Sequence, residues 1–361
     1  MSFRVLITDA SSKHSIPLQR HIRMACPDVY LLGHDSHRYP LSLHYGYLHK
    51  LIYREPLDTL LTQGDFDMVI PIGGQAVRAV ARQAPLKALF PELGALDLAF
   101  DKIKTAELAD FLKIPRPNFM LFRSIEDVHK CNIPFPWVIK PVDETKAKGV
   151  EYATDINDAH VKIRRLLEKW PAPILVQQFV PGTGVGFFGL FKNGKPIRIF
   201  MHKRLREYPI SGGASCGAMS FWHPQLKEYG LGILKHLNWN GPAMVEFRYD
   251  ENTDKLTLLE INPKFWGSLE LALEAGVNFG ADMITLFRGG TLEYSEEYDR
   301  KLRFYWPLEG DLLHLAAKRN FSGIGDYFGA QAKTNLGYSV SADILKSMRM
   351  FPKLLGKFIR P

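Results

Sequence analysis

Cysteine is scarce in this chain. Cys26, Cys131 and Cys216 lie far apart and are odd in number. They make neither a disulfide framework nor a metal-ligand spacing, which points to a reducing cytoplasm. Cys216 sits in a Gly/Ser-rich stretch with no identifiable partner, and reads as a spectator rather than a nucleophile. No apolar run approaches the ~20 residues needed to cross a bilayer. The N-terminal MSFRVLITDA enters a strand directly and lacks the layout of a signal peptide. There is no G-x-G-x-x-G, which speaks against a dinucleotide cofactor. No internal repeat, low-complexity segment or nucleic-acid-binding module is recognisable, so nucleic acid is not an expected partner.

A length of 361 residues suffices for two or three domains with a sizeable core. The net charge of +8 would suit nucleic acid, an anionic membrane or anionic ligands. The basic residues form no dense block except at the extreme C-terminus, and a phosphate-bearing ligand explains the balance at least as well.

The most informative stretch is 243–268, AMVEFRYDENTDKLTLLEINPKFWGS. Two apolar runs flank the turn-forming DENTDK, which predicts an antiparallel hairpin. Alternation puts Glu260 and Asn262 on one face of the second strand. With Glu246 opposite them on the first, three oxygen-bearing groups would converge. Such a cluster suits Mg²⁺, which takes one or two carboxylates and fills its shell with water and phosphate oxygens. The alternative is an exposed hairpin with a solvated charged face. Glu260 argues against that, because it lies within the apolar run LTLLEIN and carboxylates are seldom buried unpaired.

Upstream, RVLITDA, DVYLLGHD and DMVIPIGG read as strands separated by helical stretches, the pattern of a parallel sheet with crossover helices. Ser11, Gly73 and Gly74 stand where such sheets bind ligands, although glycine there also serves plain turn chemistry. A domain boundary is expected near 97, where a helix from about Asp101 to Leu112 precedes IPRPNF. PWVIKPV is a strand whose Lys140 needs an anionic partner or a route to solvent. DETKAKGVEYA reads as a mobile hairpin turn, and DINDAHVKIRRLLEKW as a helix capped by Asp155 or Asn157. ILVQQFV, VGFFGLF and PIRIFMHKR are strand-like, the last two joined by KNGK, a strong hairpin signal. Alternation would put His202, Arg204 and Arg206 on one face, with one or two of them toward an anion. SGGASCGAMS (211–220) reads as a small-residue loop. Beyond about 300 the pattern is less regular, and ILKSMRMFPKLLGKFIRP is apolar and basic in alternation.

This order of parts (parallel α/β domain, DK-helix, VIKP strand, LVQQFVPG strand, basic strand, EF…LLEINPKFWGS hairpin) resembles the ATP-grasp superfamily over roughly residues 1–290. It looks most similar to the carboxylate–amine ligase-like branch and to the ATP-grasp domains of carbamoyl-phosphate synthase large subunits. HKRLREYPISGGAS together with EINPKFWGS is the most specific part. The fold implied is α/β: an N-terminal parallel α/β (pre-ATP-grasp) domain over 1–96, then a two-lobed α+β ATP-grasp domain over 97–290 with its lid at about 115–182. Residues 291–361 form a C-terminal extension.

The resemblance also implies roles. Lys102 and Lys140 match the family's nucleotide-phosphate lysines. Lys146, Lys148 and Gly149 fall on its flexible phosphate-covering loop, here poorer in glycine than usual. Gln177, Gln178, Phe179 and Val180 match the hinge that receives adenine. Many relatives carry Glu where Gln178 stands, and the acid that commonly follows the hinge is absent from PGTGVGFF. Glu246, Glu260 and Asn262 match the Mg²⁺ ligands, for which Mn²⁺ could substitute. Arg204, Arg248 and Lys264 are implied at the reacting phosphates, and Gly212 and Gly213 with Ser211 fit a loop closing over an acyl-phosphate. The implied activity is an ATP-dependent ligase joining a small carboxylate to an amine. The alternatives are a silent nucleotide-binding regulatory or assembly module, or another ATP-grasp chemistry such as carboxylation or kinase action. A homo-oligomer is compatible. The basic tail allows membrane contact, but Pro352 interrupts it, and packing or partner contact is the favoured reading.

Overall fold

The computed structural model describes residues 2–35, 47–53, 55–142, 149–170, 173–210 and 212–337. Taken in order, the elements begin with β1 (Phe3–Ile7), α1 (Ser15–Ala25), β2 (Val29–Asp35), β3 (Lys50–Tyr53), α2 (Leu57–Gln63), β4 (Met68–Ile70) and α3 (Gly74–Gln83). Next are α4 (Leu93–Phe100), α5 (Lys102–Phe111), β5 (Phe119–Phe122), β6 (Trp137–Pro141), β7 (Glu151–Ala153), α6 (Ile156–Lys169) and β8 (Ile174–Gln178). The strands β9 (Thr183–Lys192), β10 (Lys195–Tyr208) and β11 (Ala214–Ser220) then lead to α7 (Pro224–His236) and the hairpin β12 (Gly241–Asp250) and β13 (Lys255–Asn262). Last come α8 (Leu269–Glu274), α9 (Phe279–Phe287), β14 (Arg303–Tyr305), α10 (Asp311–Ala317) and β15 (Ala332–Thr334).

Two compact units result. One gathers residues 1–96, 186–244 and those from 262 onward; the other gathers 97–185 and 245–261. The chain passes between them within α4, β9, β12 and β13, so neither unit is one continuous stretch.

In the first unit, β1, β2, β3 and β4 pair in parallel in the order β3-β2-β1-β4. Val5 and Ile7 face one core with Leu18 of α1 and Phe279 of α9. Leu6 points the other way, toward Leu60 and Val80 of α2 and α3. That strict alternation lets helices cover both faces, as parallel sheets require. β3 was not anticipated from the sequence. A second sheet has the order β13-β12-β9-β10-β11-β14-β15. The KNGK hairpin between β9 and β10 is present, with Asn193 and Gly194 both at positive φ as the two-residue turn demands.

Two expectations fail here for the same reason, the packing between β10 and its neighbours. SGGASCGAMS is not a loop throughout, because Ala214–Ser220 is an interior strand paired with β10 and β14. Its small residues make room for bulky neighbours: a Cβ on Gly217 would stand 2.9 Å from the Tyr305 ring. Nor do His202, Arg204 and Arg206 share a face. The β10–β11 register advances by two residues on β10 from Arg204 to Arg206 but by only one on β11, from Ala218 to Gly217. A bulge of this kind breaks the alternation.

The second unit holds an antiparallel sheet in the order β5-β8-β6-β7. Trp137 and Ile139 face a core with Ile163 and Leu166 of α6. Asp155 caps α6 through the amides of Asn157 and Asp158, as the sequence suggested. Lys146 and Lys148 lie outside the described residues, as do Ser211 and the tail from 338.

Candidate nucleotide and metal site

The alternation of β6 decides where Lys140 points. Trp137, Ile139 and Pro141 turn into the core of the second unit, so Val138 and Lys140 occupy the opposite face. There the Lys140 ammonium loses hydration, and its pKa falls to about 8. The carboxylates of Glu260 and Glu246 pull it back up, while the Lys102 ammonium pushes it down. These four charges, all within the second unit, therefore act on one another. Lys102 opens α5 directly after its cap, Asp101, whose carboxylate accepts from the amides of Ile103 and Lys104 at 2.8 and 3.2 Å.

Glu246 and Arg248 share a face of β12, while Val245 and Phe247 are buried on the other. Glu260 and Asn262 alternate in the same way about the buried Ile261 of β13. The sequence-predicted donors thus present two carboxylates and an amide. Among the described residues no group of three or more His, Cys, Asp or Glu side chains is arranged to hold a metal. The donor chemistry fits Mg²⁺: two carboxylates and a carbonyl oxygen leave coordination positions for water and phosphate. A desolvated lysine beside those carboxylates suits an incoming polyphosphate, which restores its charge balance.

The hinge holds a correction. The amide of Phe179 donates to the Pro136 carbonyl at 2.9 Å, and that of Gln178 to the Asn118 carbonyl at 2.8 Å. Phe179 can therefore offer adenine its carbonyl but not its N–H. Gln178 lies opposite Trp137, and Gln177 opposite Val138. Directly opposed side chains share a face, so Gln177, not Gln178, projects on the Lys140 side of the sheet. Sequence matching had put both glutamines at the hinge, and the register now places them on opposite faces.

Arg248 donates to the Gly182 carbonyl at 3.0 Å, which fastens the segment after the hinge. Gly182 has φ +103, and a Cβ there would stand 2.3 Å from the Tyr249 carbonyl oxygen. Gly182→Ala is expected to cost more than about 1 kcal/mol, read as a lowered urea midpoint at unchanged slope.

In the first unit, Arg204 donates to Glu207 (3.3 Å) and to the Gly213 carbonyl (3.4 Å), bracing the glycine loop. Lys264 lines a small cleft with Pro71, Val77, Leu89, Phe90 and Met283. Two of the basic-strand candidates are structural instead. Arg206 is buried on Asp311, at 2.8 Å, and on the Gly323 carbonyl. His202 is buried edge-on to Phe188 at 4.5 Å. Desolvation, assisted by the Arg204 charge, lowers the His202 pKa to about 3. The unfolded chain then binds a proton that the folded one refuses between pH 6.5 and about 3. Stability is expected to fall by up to about 1.4 kcal/mol per pH unit through that window. His202→Gln, compared with the parent in urea titrations from pH 7.5 to 5, is expected to flatten this part of the profile.

A family model for ATP-grasp proteins "in the biosynthetic pathway with Ter operon" matches residues 203–307, the stretch from the second half of β10 through the hairpin to just past β14. Over this stretch the chain is similar to the ATP-grasp superfamily. Its members are ATP-dependent ligases and carboxylases. The carbamoyl phosphate synthase large chain of Saccharolobus islandicus is 22% identical over 276 residues, which are 73% of this chain and 26% of that protein. The chain thus spans about a quarter of that relative. Among solved structures, N5-carboxyaminoimidazole synthetase from Staphylococcus aureus is similar with a TM-score of 0.70 at 15% identity, covering 90% of this chain and 88% of that one. Its ADP complex scores 0.69. The L-amino acid ligase from Bacillus licheniformis scores 0.63 at 16% identity, covering 79% of this chain and 74% of that one. At these identities the structural likeness speaks for the fold. No helix among the described residues is long and apolar enough to cross a membrane.

Proposed function

We propose that this ATP-grasp protein is a carboxylate–amine ligase that forms an amide through an acyl-phosphate, converting ATP to ADP and phosphate. The observation that carries the proposal is the mutual influence of Lys140, Glu260, Lys102 and Glu246. Two ammonium groups beside two carboxylates suit a metal-bound triphosphate better than a purely structural cluster, which has no reason to desolvate a lysine. Similarity to an L-amino acid ligase supports the ligase branch. The ADP complex of a protein with the same fold supports the nucleotide.

In this reading Lys102 and Lys140 hold the phosphate oxygens, and Glu246, Glu260 and Asn262 hold Mg²⁺. The metal, when bound, supplies Lewis-acid charge neutralisation. Gln177 and the Phe179 carbonyl face the base. A substrate carboxylate oxygen attacks the γ-phosphorus, and the bond to the ADP oxygen breaks. An amine nitrogen then attacks the acyl carbon, phosphate leaves, and the nitrogen loses a proton. No protein nucleophile is needed, because positioning and charge stabilisation do most of the work in phosphoryl transfer. Arg204 and Lys264 are assigned to charge developing on the transferred group.

The test is ADP release from Mg·ATP against pools of carboxylates and amines, with bicarbonate as a separate arm. Release requiring one acid and one amine, with a new amide by mass, is the expected result. Release requiring bicarbonate with no amide formed would replace the ligase by a carboxylase. Tight ATP binding with no release in any arm would favour the silent regulatory module.

A further inference from the structure

Beside Lys140, the same face of the second unit's sheet carries an uncharged row of side chains. Register sets Tyr152 of β7 opposite Val138 of β6, Val138 opposite Gln177 of β8, and Gln177 opposite Phe119 of β5. Directly opposed side chains share a face, so the row runs aromatic, aliphatic, amide, aromatic. The Tyr152 ring meets Phe179 edge-on at 6.1 Å, which ties the hinge to the row. Lys140 stands two residues along β6 from Val138, roughly 7 Å farther on that face. A flat base laid against the row leaves its phosphates on the lysine side.

Gln177 is the one amide in the row. It is 8% exposed, and among the described residues its side chain makes no hydrogen bond. A buried amide in that state costs free energy, which a ligand with matching groups recovers. The neighbouring backbone does not compete for that ligand as a donor. The Gln178 and Phe179 amides are already spent on the Asn118 and Pro136 carbonyls.

Two groups then read the base. The Phe179 carbonyl only accepts. The Gln177 amide accepts through Oε1 or donates through Nε2, according to how it is turned. Adenine presents an amine at C6, whereas guanine presents a carbonyl there, next to an N–H at N1. Turned one way, Gln177 accepts from the adenine amine. Turned the other way, it donates to guanine O6 while the Phe179 carbonyl accepts from N1–H. A carboxylate at this position could serve only adenine, because it has no proton to give O6.

We infer, building on the nucleotide reading above, that Gln177 gives the base site a broad purine selectivity, so that the protein takes guanine as well as adenine nucleotides. The test is calorimetry of the full chain with Mg·ADP and with Mg·GDP near neutral pH, the diphosphates being used to avoid turnover. In the parent, Kd values within about tenfold of each other are expected, the cost of one unmade hydrogen bond being absent for either base. Gln177→Glu is expected to weaken GDP about tenfold or more relative to ADP. Gln177→Met keeps the length and adds no buried charge, so it stands in if the Glu variant folds poorly; it is expected to weaken both nucleotides about fivefold. A larger deficit of GDP in the parent would overturn the inference. So would an unchanged ADP-to-GDP ratio in Gln177→Glu, or parental affinities in Gln177→Met, because Gln177 would then not read the base. Binding of neither nucleotide to the parent is a different failure: it would overturn the proposed function, and the base selectivity with it.

Discussion

Glu260→Gln is expected to lower turnover by about 10³-fold while leaving measurable nucleotide binding. The substitution keeps the shape and one oxygen of the side chain but removes its charge. Glu260 opposes the desolvation of Lys140 more strongly than Glu246 does, and in the proposed reading it is a metal ligand. Loss of one preorganised charge at a phosphoryl-transfer centre costs about 10²–10³ in rate, and a weakened metal site pushes the loss to the upper end. Nucleotide binding survives in part because Lys102, Lys140 and the hinge are still present. The variant has a second signature. Without the carboxylate, the Lys140 ammonium is less favoured, so its pKa moves below about 8. Binding of ADP to the variant should then fall with rising pH at a lower pH than in the parent. Calorimetry across that range, with ADP release measured in parallel, checks both parts. Turnover within tenfold of the parent would remove Glu260 from the metal site.

The features legible in the sequence were local. The βα alternation of the first 83 residues, the KNGK turn, the Asp155 cap and the hairpin carrying Glu246 and Glu260 each depend on residues close in the chain. The errors arose where a strand's partners decide its meaning. Alternation along HKRLR was sound until a bulge opposite β11 moved Arg206 to the other face, where Asp311, 105 residues away, binds it. SGGASCGAMS looked like a loop because small residues usually mark one. Here they mark a strand squeezed between β10 and the aromatic β14. Gln177 and Gln178 were both matched to the hinge, whereas the register puts Gln177 on the Lys140 face and Gln178 on the Trp137 face. In each case the missing information was the identity of the neighbouring strand, which no local pattern carries.

The same limit hid a buried ion cluster in the first unit, and Arg20→Met is expected to expose it. Arg20 of α1 donates to Glu270 of α8 at 2.9 Å and to Glu274 at 3.2 Å, across some 250 residues of sequence. Arg20 is 6% exposed and Glu270 4%. The Trp306 indole donates to the other Glu270 oxygen at 3.0 Å. Lys333 and His21 reach Glu274. The sequence pattern gave a helical stretch after the first strand, with nothing to join it to the residues of α8. Removing Arg20 leaves the Glu270 carboxylate buried beside an indole N–H in place of a guanidinium. Breaking a buried pair by deleting one partner costs about 3–5 kcal/mol, most of it the uncompensated charge left behind. Glu274 is less affected because Lys333 still meets it. A double variant, Arg20→Met with Glu270→Leu, removes both charges and is expected to recover most of the loss, since apolar replacements of a buried pair are often neutral or stabilising. Urea unfolding of the parent, both single variants and the double closes a thermodynamic cycle. A single variant within 1 kcal/mol of the parent would mean that the cluster contributes little to stability. A double variant as unstable as Arg20→Met would mean that packing between α1 and α8, and not charge, dominates the loss.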